Sequence, residues 1–173
     1  MDSIKRLHIL ALLLSLLAFN SSCFRYSFSG TSIPADVNTI YIPFFPSQAS
    51  QGLSNLPDLL NEALVERFVN QSRLRLTNSA DEADIVIDGY ISRYNNGPFS
   101  IAGNEEASLN RVEVIVYASF RYATEDAPLW QKNFNGFNDF DPNEDPIQGE
   151  NTAASEAVTQ IAQKMFDDSI GNW

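Results

Sequence analysis

Two segments of the chain repeat their apolar residues at the pitch of a helix, and several others alternate them at the pitch of a strand. Leu56, Leu60, Ala63, Leu64 and Phe68 recur at i, i+4, i+7, i+8 and i+12, which gathers them on one helical face, while Asn61, Glu62, Glu66 and Asn70 take the other. Pro57 falls in the first turn, where a missing amide hydrogen costs nothing, and Ser54 or Asn55 can cap the start. This helix is predicted to end near Gln71. Ala154, Ala157, Val158, Ile161, Ala162 and Met165 share the face of a second helix, capped by Asn151 or Thr152 and stopping before Gly171.

The strand periods are of unequal strength. Thr39 to Phe45 (TIYIPFF) is apolar and β-branched, yet Pro43 lacks the hydrogen that a ladder needs, so an edge position or an early end is expected. Leu74 and Leu76 alternate with Arg73, Arg75 and Thr77. From Ala83 to Tyr94, Ile85, Ile87 and Ile91 are expected on one face and Val86, Tyr90 and Tyr94 on the other, with Gly89 as a candidate bulge. The clearest strand is Arg111 to Ala123, where Val112, Val114, Val116, Ala118, Phe120 and Tyr122 alternate with Arg111, Glu113, Ser119 and Arg121; its length argues for a central place in the sheet. Leu129 to Phe137 can pair back on it as a hairpin partner.

Between these elements, Asn95 to Asn110 reads as a loop carrying Glu105 and Glu106, and Asn138 to Glu150 as an acidic loop with Pro142 and Pro146. The order of elements predicts an α+β fold. Residues 39–173 would form a two-layer sandwich, with two helices packed on one face of a four- to five-stranded mixed sheet.

The start of the chain follows another logic. Lys5 and Arg6 precede an 11-residue apolar run from Ile9 to Phe19, followed by Asn20, Ser21 and Ser22. That order is a leader for export, and the run is too short for a bilayer, which needs about 20 apolar residues. Cys23, the only cysteine, follows at once. A lone thiol in an exported protein closes no internal disulfide, and its placement resembles the acylated cysteine of bacterial lipoproteins. Residues 1–22 are thus expected to be a signal peptide, Cys23 the lipidated residue, and residues 23–38 a tether. The alternative is an ordinary secretory leader beside a chance cysteine. With two or more acyl chains, at about 0.8 kcal/mol per buried methylene, the anchor would be effectively permanent.

Charge narrows the choice of partner. Removing 22 residues leaves 9 basic and 21 acidic residues, a formal charge of −12. Such a surface repels phosphate backbones, so no nucleic-acid role is expected. Arg73, Arg75 and Arg93 could make a local basic patch if their strands were neighbours; scattered ion pairs are the simpler alternative.

Catalytic chemistry is poorly supplied. The single histidine, His8, lies in the leader, and acylation would consume the single thiol, which removes most nucleophile–base pairs and the usual zinc sites. No catalytic residue, cofactor or metal site is assigned. Asp139, Asp141, Asn143 and Glu150 do occupy positions 1, 3, 5 and 12 of a calcium loop. Glu144 stands where that loop needs glycine, and Pro142 and Pro146 stiffen it, so an ordinary acidic loop is expected instead.

Taken together, Tyr26-Ser27-Phe28-Ser29-Gly30, the helix Leu59 to Phe68, the run from Ala83 to Tyr90, Asn110-Arg111-Val112-Glu113-Val114, Trp130 with Phe134 to Asp141, and Gly171-Asn172-Trp173 resemble the LptE-like lipopolysaccharide-assembly lipoproteins of the Bacteroidetes type. The likeness spans the mature chain, with Asn20 and the strongly acidic charge as departures. It implies a non-enzymatic domain, anchored by acyl chains to the periplasmic side of the outer membrane. Its partner would be the LptD barrel, which it plugs and helps to assemble, with lipopolysaccharide as the cargo. No lipopolysaccharide-contacting residue carries over. The competing expectation is a stand-alone carbohydrate- or ion-binding periplasmic lipoprotein.

Overall fold

The computed structural model describes residues 33–99 and 109–170. The apolar run at Thr39 forms only a short strand, β1 (Thr39–Tyr41), because Pro43 cannot continue the ladder. The early end is as expected, but β1 is not an edge. It lies parallel between β2 (Arg75–Leu76) and β3 (Ile85–Phe99), with Ile40 opposite Leu76 on one side and Ile85 on the other. Beyond Pro43 the chain rejoins β3: the Ile91 amide donates to the Pro46 carbonyl at 3.0 Å and the Gln48 amide to the Ile91 carbonyl at 2.9 Å. β4 (Leu109–Tyr122) and β5 (Trp130–Phe140) follow antiparallel, giving the order β2-β1-β3-β4-β5.

The two helical periods become α1 (Leu56–Val65), extended by a wider turn over Glu66–Asn70, and α2 (Pro146–Ser169). Leu56, Leu60, Leu64 and Phe68 of the first, and Ala154, Ala157, Val158, Ile161, Ala162 and Met165 of the second, are buried against one sheet face. Phe68 meets Phe166 edge to face, with ring centres 5.3 Å apart, and ties the helices together. Burying a side chain such as Leu, Ile or Phe contributes about 1.5–3 kcal/mol, so this single core holds the two layers together.

Five expectations about boundaries and faces are corrected. The helix α2 starts at Pro146, capped by the Asp145 carboxylate, which accepts from the Gln148 amide at 3.0 Å; the expected caps Asn151 and Thr152 lie within it. Asp-Pro is itself a start signal, with the proline in the first turn. The acidic loop therefore shrinks to residues 141–145, and the expected loop at 95–110 also shortens, since Asn95 to Phe99 belong to β3 and Leu109 to β4.

The bulge lies between Ile91 and Arg93, not at Gly89. Its extra residue is Ser92, whose hydroxyl donates to the Ile115 carbonyl at 3.0 Å. That one-residue shift carries Tyr94 to the buried face, opposite Val114, where alternation had placed it outside. Gly89 serves close approach: a Cβ there would lie 2.7 Å from the Phe45 ring and 2.2 Å from the Tyr117 carbonyl oxygen.

Candidate interaction surface

The helices cover one face of the sheet and leave the other open. Alternation decides what it shows. Along β4, the residues out of phase with the core are Arg111, Glu113, Ile115, Tyr117, Ser119 and Arg121, and each is half-buried by its neighbours across the sheet. Tyr117 packs on Tyr90 of β3, ring centres 5.2 Å apart. Further along, the Arg111 guanidinium sits 3.4 Å from the centre of the Phe99 ring and 4.3 Å from that of Phe137. Its Nε and Nη2 donate to the two oxygens of Asp139 at 2.6 and 2.8 Å. A planar fork held by two rings and a bidentate carboxylate has little freedom left. The hydrogen bond from Arg111 holds the Asp139 carboxyl below its ordinary range despite some burial, and Asp139 in turn keeps Arg111 more firmly protonated.

The two faces differ in charge. On the open face and its margin, Asp84, Asp88, Glu113 and Asp139 are matched by Arg75, Arg93, Arg111 and Arg121. The helix layer from Leu56 to Asn70 and from Pro146 to Ser169 carries seven carboxylates and two cations, Arg67 and Lys164. The helix layer is thus strongly acidic and the open face balanced, while the other carboxylates of the described residues lie on the connecting turns.

The three arginines of the sequence-based patch are not brought together. Arg73 donates to Asn38 Oδ1 at 3.0 Å and to the Ile33 and Pro34 carbonyls; Arg75 is opposite Thr39, and β1 separates it from Arg93 on β3. The positions of the calcium pattern are dispersed as well. Asp139 is bound to Arg111 on the sheet, Asp141 accepts from the Asn143 amide at 2.8 Å, and Glu150 accepts from the Tyr94 hydroxyl at 2.6 Å inside α2. Burial, and then that carboxylate, push the Tyr94 hydroxyl well above its ordinary pKa. Among the described residues, no group of three or more His, Cys, Asp or Glu is placed to hold a metal ion. Cys23, the leader, Glu105, Glu106 and Gly171 to Trp173 lie outside the described residues.

A hollow of about 550 Å³ forms a groove between α1 and α2 lined by Glu62, Glu66, Asn61, Asn70, Ser155 and Thr159. It offers carboxylates, amides and hydroxyls, and the Thr159 hydroxyl donates to the Ser155 carbonyl at 2.9 Å. What the sequence reading missed was the aromatic character of the open face. The signal was present, since Ile115 and Tyr117 stand in the phase that alternation assigns to water.

A helix-on-sheet body that leaves one charge-balanced, aromatic sheet face uncovered offers that face as a surface for a partner. The comparisons make this specific. The family model for LptE, lipopolysaccharide-assembly, matches residues 37–169, and the chain belongs to that family. It is accordingly a lipoprotein-family domain with a role in lipopolysaccharide assembly, in a family that is non-enzymatic. No helix among the described residues is long and apolar enough to cross a membrane.

Comparison with curated proteins finds no match. Among solved structures, a Xanthomonas campestris protein is similar with TM-score 0.53 and 10% identity, covering 76% of this chain and 84% of that one. A hypothetical protein of Chlamydia trachomatis matches with TM-score 0.50 and 11% identity, over 76% and 92% of the two chains. The PelC dodecamer of Paraburkholderia phytofirmans matches with TM-score 0.50 and 10% identity, over 81% and 94%. At such identities these likenesses establish the fold alone.

Proposed function

We propose that this chain acts at the outer membrane, anchored through acylated Cys23 on the periplasmic side, as the partner and plug of an LptD-like β-barrel. There it assists barrel assembly and the delivery of lipopolysaccharide to the outer leaflet. The observation that carries this reading is the family match, which spans residues 37–169 and so takes in both helices and all five strands. The physical features agree with it. A barrel lumen is polar, and a rigid body with a hydrophilic exterior suits it, whereas a body with an apolar belt would be drawn into lipid.

Depletion of the protein in its own cells tests the proposal. Correctly folded barrel should fall, and lipopolysaccharide should accumulate in the inner membrane. Normal barrel levels with normal surface lipopolysaccharide would overturn the proposal and return the domain to the class of independent binding modules.

A further inference from the structure

We infer that the open sheet face, and not the helix layer, is the surface that seats against the polar inner wall of the barrel. This rests on the function proposed above and adds to it which side of the domain makes the contact.

The first argument is electrostatic. Burying a charge against another protein is costly unless it is compensated, and the cost grows with every unmatched group. The helix layer carries seven carboxylates against two cations, so a wall pressed on it would have to supply many basic groups in register. On the sheet face the four acidic and four basic side chains balance, and one pair, Arg111 with Asp139, is already joined at 2.6 and 2.8 Å. A polar wall of low net charge is therefore complementary to this face and not to the other.

Composition argues the same way. The buried centres of protein interfaces are enriched in aromatic residues and arginine and depleted in lysine. The open face has Tyr90, Tyr117, Phe99 and Phe137 with its arginines, and none of its residues is a lysine. The two lysines among the described residues lie elsewhere: Lys132 pairs with Asp168 at 2.8 Å, and Lys164 donates to the Asn135 carbonyl at 2.6 Å. An anionic lipid surface would call for a net-positive cluster of Lys and Arg, and the arginines of this face are offset by an equal number of carboxylates.

Rigidity is the third argument. Arg111, clamped between two rings and a carboxylate, and the Tyr90–Tyr117 pair are already ordered, so docking on them costs little further side-chain entropy.

The test uses the full-length tagged lipoprotein in its own cells, with recovery of the barrel from solubilised outer membranes as the readout. Arg93→Glu with Asn133→Glu puts unmatched charge on exposed positions of the sheet face, and Glu62→Lys with Glu156→Lys alters the helix layer. The sheet-face pair should reduce barrel recovery by about tenfold, and the helix-layer pair by less than about twofold. Thermal melts of each variant establish that the domain is folded. A photo-crosslinking residue at 133 or at 156 gives a readout independent of any charge change, and only position 133 should capture the barrel. Loss of the barrel with the helix-layer pair, equal effects of the two pairs, or capture from 156 alone would overturn the assignment of the face. Failure of the unaltered protein to retrieve a barrel would instead overturn the parent reading, and this inference with it.

Discussion

At Gly136 the backbone of β5 packs directly against the backbone of α2, and adding one methyl group there should be among the most damaging small changes in the chain. A Cβ on Gly136 would fall 2.0 Å from the Ala157 carbonyl oxygen, 2.8 Å from its carbonyl carbon and 3.1 Å from Ile161 Cγ1. Real Cβ atoms do not come nearer than 3.0 Å to a neighbour, so α2 must retreat from β5 by about 1 Å. The obstacle is helix backbone and cannot swing aside as a side chain could. A gap of 0.5–1 Å forfeits roughly a quarter to a half of the dispersion attraction across it, and here it opens along Ala153, Ala154, Ala157 and Ile161 at once. Overpacking typically costs about 1–3 kcal/mol, and a backbone obstacle puts this site near the top of that range. For a domain of this size, about 3 kcal/mol corresponds to a melting-temperature fall on the order of 10 °C. Gly97→Ala is the matched control, because a Cβ there meets nothing within 4 Å among the described residues and Gly97 has no left-handed backbone to strain. Denaturant and thermal melts followed by circular dichroism would compare the two. The close packing inferred at Ala157 is wrong if Gly136→Ala melts together with Gly97→Ala and the unaltered domain.

Three further outcomes are expected. Asp84 Oδ2 accepts from the Asn38 amide at 2.8 Å, the Thr39 amide at 3.0 Å and the Thr39 hydroxyl at 2.8 Å; the Asn38 bond foremost, then Thr39, holds its carboxyl below the ordinary value. A depressed folded pKa adds stability above the unfolded value of about 4 and loses it as pH falls through the folded one, so Asp84→Asn should flatten the acid limb of a stability–pH curve measured by denaturant melts; an unchanged limb would remove Asp84 from that role. Tyr94→Phe deletes the donor to Glu150 and should cost about 1 kcal/mol in a denaturant melt at neutral pH, while unchanged stability would mean that bond contributes nothing. Cys23→Ser should move the protein from the membrane to the soluble fraction and remove any acyl mass from its N-terminal peptide; unaltered fractionation would refute lipidation there.

The sequence made the helix faces and the long strand legible because their periods run for several turns or pleats without interruption. Every apolar residue assigned to the inward face of α2 is buried, as are Val112, Val114, Val116, Ala118 and Phe120 of β4. The failures fall where one residue breaks a period or where a signal has two meanings. Ser92 adds a residue to β3 and reverses the faces beyond it, which strict alternation has no means of reporting. Pro146 carries the signal of a loop residue although, after Asp145, it opens a helix. The open face was legible in part: the phase opposite the core in β4 contains Ile115 and Tyr117 as well as charges, which a purely solvated face does not need. The clamp on Arg111 was not legible at all, because Phe99 of β3 and the Phe137–Asp139 pair of β5 meet it only through the strand register.

We propose this domain as the stoichiometric partner of an outer-membrane barrel. The most direct measurement is native mass determination of the complex that the tagged, full-length protein forms when extracted gently from its own outer membranes. An equimolar complex with a single β-barrel protein is expected, formed through a domain that retains its own fold. Recovery of the lipoprotein by itself, or with only substoichiometric and varied companions, would contradict it.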